Sequence, residues 1–178
     1  MTPGIFEKLN RYFQEWEFGV LNEAGSSLFV KAGAERFLAF LRAKNAEGNH
    51  IFLRPKASVE PFFLLVDDLD WSQIEKDHLQ RFKQLWKPGR LIVESSPGNY
   101  QVWIHSDRQL DDQEKKGWLE RLGSDPKSSP KHRWGRCPGF RNRKEKYQQP
   151  DGNFPLSKLV WVDWEQRASI PVLEQETT

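Results

Sequence analysis

The sequence predicts an α+β chain: an RRM-like split β-α-β core, in which an antiparallel sheet carries two helices on one face, behind an N-terminal α/β extension. From residue 62 onward the elements run β-α-β-β-α-(long loop)-β, the order of a split β-α-β fold. The first 55 residues mix helical and strand patterns and precede that core. The 178 residues fit one domain, with no internal repeat, linker or low-complexity segment. We divide it into an extension over 1–57, the core over 58–165 and a polar, frayed tail over 166–178.

The elements follow in order. Residues 4–16 set Ile5, Leu9, Phe13 and Trp16 on one helical face. Residues 17–20 and 27–31 read as short strands about a Gly-Ser turn. Residues 33–44 read as an amphipathic helix with Phe37, Leu38 and Leu41 inward, broken by Gly48. Residues 50–54 alternate and stop at Pro55, as a strand does. The run FFLLVD over 62–67 is continuously apolar up to Asp67, which suits a strand buried on both faces. Ser72 is the expected N-cap of a helix reaching Trp86, with Glu75 completing a capping box. Residues 90–95 and 100–105 form a hairpin about Ser96-Pro97-Gly98-Asn99, which is turn chemistry. A helix over 111–122 carries acids in its first turn, where the dipole favours them. Residues 124–157 are basic and rich in Pro and Gly, a long loop, and 158–163 make the last strand.

Composition excludes several classes. Eight Trp and 13% aromatic residues do not belong to a disordered chain. One cysteine excludes an internal disulfide and a Cys-rich zinc module. His50, His78 and His105 have no His or Cys at zinc-ligand spacing. No apolar run approaches the roughly 18 residues of a membrane span, so no membrane partner is expected. The start MTPGIFEKLNRYFQEWEF carries acids and lacks an apolar h-region, so it is no signal peptide and the expected compartment is the cytoplasm.

The net charge of +2 hides two opposite patches. Residues 60–77 hold six acids against Lys76 alone, and residues 131–147 hold seven bases against Glu145 alone. Either patch alone reads as a solvated face; together they suggest a cation site and a polyphosphate site. In Val66-Asp67-Asp68-Leu69-Asp70, strand alternation sends Asp68 and Asp70 to one face and Asp67 to the other. Adjacent carboxylates repel unless a cation sits between them, and hard divalent ions prefer oxygen ligands. The alternative is that these acids cap the following helix. In the segment His132 to Lys144, arginine forks match phosphate oxygens, while Gly135 and Gly139 permit close backbone approach. Such a loop can clamp a triphosphate or lie on a nucleic-acid backbone. Cys137 reads as a small packing residue.

Taken together, these segments resemble the archaeo-eukaryotic primase superfamily, and within it the RepB-like plasmid primases and primase-polymerases. The resemblance rests on LLVDDLD (64–70), ESSPGNYQVWI (94–104), GSDP (123–126) and GRCPGFRNRK (135–144) in order, with IFLRP (51–55) and FGVLNEAG (18–25). It implies a two-metal DNA primase that makes primers on a single-stranded DNA template from nucleoside triphosphates, in replication of a plasmid or other mobile element. Its first motif falls on Asp68 and Asp70, with Asp67 a weaker candidate, and its third carboxylate on Asp125. These three would be catalytic and hold Mg²⁺ or Mn²⁺. Its second motif falls on Asn99 and Gln101. Gln101 stands where many members carry histidine, and the RepB-like branch resembles this chain in having Gln there. His132, Arg136, Asn142 and Lys144 match the nucleotide clamp. Arg54, Tyr100, Arg141 and Arg143 are the expected template contacts, though Arg54 equally suits a surface ion pair, and Tyr100 and Trp103 at strand spacing suit the core better than template. A helicase or other replication protein is an implied partner, and a longer parent protein is compatible with the resemblance.

Two rival readings share much of this pattern. A metal-dependent nuclease or rolling-circle initiator would want His-x-His and a tyrosine nucleophile; no His-x-His occurs beside Tyr12, Tyr100 or Tyr147. A non-catalytic single-strand-binding module would use the basic loop and aromatics but gives no reason for the carboxylates.

Overall fold

The computed structural model describes residues 16–24, 27–32, 38–124, 130 and 133–173. The helix expected over 4–16 lies outside them except for Trp16, which opens a strand instead. Two four-stranded sheets stack face to face, and helices cover the outer face of the second.

The first sheet takes the order β2-β1-β3-β9, with β1 at Trp16–Leu21, β2 at Ser27–Ala32, β3 at His50–Pro55 and β9 at Gly135–Arg136. Helix α1 (Leu38–Ala46) joins β2 to β3 and seats Leu41 in the core between the sheets. The second sheet takes the order β10-β7-β8-β4, with β4 at Phe63–Leu69, β7 at Arg90–Ser96, β8 at Asn99–His105 and β10 at Lys158–Asp163. All its neighbours are antiparallel. The crossover from β4 to β7 skips over β8, and that from β8 to β10 skips over β7. Both are therefore split β-α-β units, as the element order predicts.

The continuous apolar run of β4 has a direct cause. Phe63 and Leu65 point into the core between the sheets, while Leu64 and Val66 point into the core under the helices. Helices α2 (Trp71–Asp77) and α3 (Asp112–Arg121) seat Ile74 and Leu119 in that second core. Between the sheets, Trp16 meets Trp103 at 5.1 Å and Phe63 at 5.2 Å, both edge to face. Trp164 packs on Phe63 at 5.4 Å. Edge-to-face contact is the favoured aromatic geometry, so these rings join the sheets with more than area alone. Cys137 is buried among them, as a packing residue.

Three expectations are corrected. The helix cap is Asp70, not Ser72, and its capping-box partner is Gln73 rather than Glu75. The helix also ends at Asp77 instead of reaching Trp86. A short hairpin follows, β5 (Leu79–Gln80) with β6 (Leu85–Trp86). The helical spacing of Leu79, Phe82 and Trp86 was coincidental: Phe82 is fully exposed, while Trp86 leaves to stack on Trp161. The tail is not frayed at its start either. Ala168 is buried and bridges Ser106 in parallel, as Asp107 N–H donates to its carbonyl.

Three histidines are buried near cations. Burial first, then Arg136, Lys144 and Arg143, pushes His50 down to about 4. Burial first, then Arg90 and Lys87, takes His78 to about 3. Burial first, then Arg167, takes His105 to about 3. Each stays neutral when folded, whereas the unfolded chain protonates them near pH 6.5. Between that pH and about 4 the unfolded state therefore binds more protons, and stability falls on acidification. At pH 5 each contributes a loss of up to about 2 kcal/mol. Urea denaturation should give a clearly lower midpoint at pH 5 than at pH 7; equal midpoints would contradict neutral buried histidines.

Candidate active site

The site lies where the end of β4 faces the edge of β9 across the gap between the sheets. The β4–β8 register jumps from Val66 opposite Val102 to Leu69 opposite Tyr100. Asp67 and Asp68 thus share a bulge opposite Gln101. A bulge re-aims side chains, so the simple alternation expected for Asp68 and Asp70 does not hold through it. Asp68 takes φ 59°, the left-handed region, and is exposed. That region costs a non-glycine residue about 1–2 kcal/mol, least for Asp and Asn. Asp70 is exposed at the helix N-terminus. Its Oδ1 accepts from Ser72 Oγ at 2.6 Å and from Gln73 N at 2.9 Å, and these bonds hold its carboxyl below the usual range.

Asp67 points inward. Its Oδ1 accepts from Gln101 Nε2 at 3.0 Å, and its Oδ2 lies 3.5 Å from Arg133 Nη2. Arg133 also donates to the carbonyl of Leu65. The other end of the Gln101 amide accepts from the backbone N–H of Arg136 at 2.7 Å. One buried amide therefore links the acidic turn to the basic loop. The Arg136 side chain is buried, with its guanidinium 4.5 Å over the Phe52 ring and Nη1 2.8 Å from His50 Nδ1. Because guanidinium can only donate, His50 Nδ1 accepts and its proton sits on Nε2. Burial lowers Arg136 to about 10, partly offset by the charge of Asp67. Among the described residues no carboxylate forms an ion pair with Arg136. After burial, the charges of Arg136, Lys144 and Arg143 hold His50 down.

The loop is held by polar clamps. Asn45 of α1 donates to Arg141 O at 3.0 Å and accepts from Arg141 N at 2.8 Å. Asn142, buried, donates to Ser95 O at 2.7 Å, so its amide anchors the loop on β7. Arg141 Nη1 donates to Phe154 O at 2.8 Å, and Arg143 lies 4.3 Å over the Phe154 ring. Lys144 is exposed. Asn99 Nδ2 donates to Ser96 Oγ at 2.8 Å within the hairpin turn. Ser96 in turn hydrogen-bonds Tyr147, and this bond ahead of Lys146 and Lys144 lowers the Tyr147 hydroxyl.

The structure thus brings Asp67, Gln101 and Arg136 together, with Asp68 and Asp70 on the adjoining turn. Asp125 and His132 lie outside the described residues. Arg54 pairs with Glu17 at 3.1 Å and lies 4.1 Å over Trp134. It lines a cavity of about 270 Å³ beside Arg133 and Trp103. Tyr100 faces the helix side, its hydroxyl on Glu94 at 2.9 Å and its ring 5.5 Å from Trp71. Trp103 is core. Sequence reasoning missed His50, Arg133 and Tyr147 as members of the site. Only the density of bases around Arg133 hinted at one of them.

The structure is a two-sheet α+β domain with a carboxylate turn opposite an arginine-rich loop. Residues 21–175 match the RepB DNA-primase N-terminal domain, and the chain belongs to that family. It is 32% identical over 141 residues to mobilization protein A of Escherichia coli, covering 77% of this chain and 19% of that protein. It is 31% identical over 119 residues to a DNA primase of Acidithiobacillus ferrooxidans, covering 64% of this chain and 32% of that one. The chain therefore spans less than a third of either curated relative. Among solved structures it resembles the catalytic domain of primase RepB′ in complex with initiator DNA, at TM-score 0.72 and 23% identity, over 93% of this chain and 87% of that one. It resembles the AEP domain of the cyanophage S-2L primase-polymerase at TM-score 0.54 and 9% identity, over 91% and 89%. Both are likenesses of fold.

The bridging amide gives a direct test. Gln101→Leu strands the buried Arg136 N–H and bares Asp67, at a cost of about 1–3 kcal/mol. Thermal denaturation should show a melting point several degrees lower; an unchanged one would mean the amide does not tie the sheets.

Proposed function

We propose that the chain is the catalytic domain of a DNA primase that joins nucleoside triphosphates on single-stranded DNA. The observation that carries this reading is the meeting of the 67–70 carboxylate turn with the buried Arg136, across Gln101. A nucleotide needs both signs at once: anionic ligands for its cations and cationic groups for its phosphates.

The donor set suits Mg²⁺ or Mn²⁺. Asp68 and Asp70 offer hard oxygens, and the Asp70 cap uses only Oδ1. Among the described residues no three acidic, His or Cys groups cluster; the third carboxylate proposed, Asp125, lies beyond them. Bound there, the cation supplies Lewis-acid polarisation of the α-phosphate and a lower pKa for the 3′-hydroxyl. Arg136 and Lys144, with His132, receive the triphosphate and balance charge on the departing pyrophosphate. The bond formed joins the 3′-oxygen to the α-phosphorus, and the bond broken is that to the bridging oxygen of pyrophosphate. Such in-line transfer depends on positioning and electrostatics. Asn99 orients the nucleotide, and Gln101 acts on it through the Asp67 and Arg136 that its amide holds. Arg54, Tyr100, Arg141 and Arg143 are assigned to template. The name of the Escherichia coli relative supports a role on a plasmid or other mobile element.

Two substitutions separate catalysis from folding. Asp68→Gly relieves a left-handed backbone and should hold or raise the melting point. Asp70→Asn keeps an equally good N-cap. Each should lower primer synthesis on single-stranded DNA at least 100-fold with Mg²⁺ or Mn²⁺; near-normal product from either stable variant would remove that residue from the metal site. Lys144→Ala, exposed and away from the core, should raise nucleotide KM several-fold and leave template affinity nearly unchanged. The opposite ordering would assign Lys144 to template.

A further inference from the structure

The helix-covered side of the second sheet carries a feature of which the proposed chemistry uses only Tyr100. Four rings run in a row across it. Trp161 stacks on Trp86 at 5.7 Å with 18° between planes, Trp86 meets Trp71 edge-on at 6.2 Å, and Trp71 meets Tyr100 at 5.5 Å. They come from four separate places: β10, β6, the first residue of α2, and β8. Trp86 and Tyr100 are partly buried against the core beneath. Trp71 and Trp161 remain 40% and 36% exposed, and beside them Leu85 is 56% exposed. Large apolar groups gathered in water mark an interaction surface.

The hairpin between β5 and β6 extends the row. At its tip Phe82 is fully exposed between Arg81 and Lys83. Residues 78–93 contain Arg81, Lys83, Lys87 and Arg90 and no carboxylate. Between the tip and α2 lies an open groove of about 770 Å³, lined by Ser72, Lys76, Phe82 and Lys83 among others. Its one acid, Glu75, is paired with Arg81 at 2.8 Å. At the other end the row reaches the catalytic turn, since Trp71 follows Asp70 and Tyr100 precedes Gln101.

We infer that this row and the hairpin tip form a docking surface for single-stranded DNA leading to the catalytic turn. The choice of polymer and its direction rest on the primase reading. Exposed aromatic faces accept any base, and stacking contributes about 1–3 kcal/mol per base. The lysines flanking the rings meet phosphates and make the binding salt-dependent. A protein partner would instead call for an apolar patch without this excess of lysine and arginine along the hairpin.

The test measures binding of a labelled oligo-dT by fluorescence anisotropy in EDTA at low salt, on wild type and on Phe82→Ala, Trp71→Ala and Lys83→Ala. Phe82 has no packing to lose, so its variant should melt as wild type does. Both aromatic variants should bind roughly tenfold more weakly, and Lys83→Ala should flatten the dependence of affinity on salt. Equal affinity in Phe82→Ala and Trp71→Ala overturns the inference, whether or not the wild type makes primers. Weakened binding in a protein that makes no primers keeps the docking surface and discards the primase reading. A concentration-dependent dimer abolished by Phe82→Ala, with oligonucleotide affinity unchanged, assigns the face to self-association and overturns the inference.

Discussion

The side-chain amide of Gln101 holds the two halves of the site in one frame. Its nitrogen donates to Asp67 on β4, and its oxygen accepts from the Arg136 backbone on β9. The first strand belongs to one sheet and the second to the other. A charged residue at 101 would favour one side over the other: a cation would draw Asp67 and lose the Arg136 N–H, an anion would repel Asp67. A neutral donor–acceptor serves both. Since each buried polar group left unpaired costs about 1–3 kcal/mol, this bridging is also a constraint on how the sheets align.

Everything around the amide follows from stacking the sheets. Strand β4 is apolar on both faces because each face meets a core, and the change to acids at Asp67 marks where the cover ends. The bulge falls there, at the first residues released from packing on both sides. It turns Asp67 inward to Arg133 and leaves Asp68 outward. The basic loop crosses from β9 back toward β10, and Asn45 and Asn142 fasten it to α1 and β7. Asn45 pairs both backbone groups of Arg141, and Asn142 satisfies the Ser95 carbonyl of β7.

Much of the fold was legible because strands and turns write strong local signals. The hairpin about Pro97-Gly98 and the last strand at 158–163 were placed within a residue, as apolar runs bounded by turn formers. The segment 78–87 was not, since its apolar spacing satisfies a helix and a hairpin equally. What decided it was tertiary: Trp86 stacks on Trp161, a residue 75 positions away, which no local window contains. In the site, the acids and the arginine-rich loop were visible as charge runs. The bulge was not, because a register shift depends on the partner strand. His50 was unreadable for a related reason. Its role comes from Arg136, and only the pairing of β3 with β9 puts the two together.

The state of Arg136 completes the physical picture. Removing a guanidinium from water costs several kcal/mol unless other groups offset it. Here the Phe52 face offers a cation–π contact, His50 offers a lone pair, and Asp67 acts from further off. None of these is a paired carboxylate among the described residues. An intimate ion pair would have to be broken before an anion could bind. The neutral histidine avoids that: it holds the guanidinium in place without cancelling its charge. Burial first, and then the charges of Arg136, Lys144 and Arg143, keep His50 from taking a proton near neutrality. On the proposed reading, a polyanionic ligand would gain attraction without displacing a carboxylate of the described residues from Arg136, in a frame set by Gln101 and the two sheets.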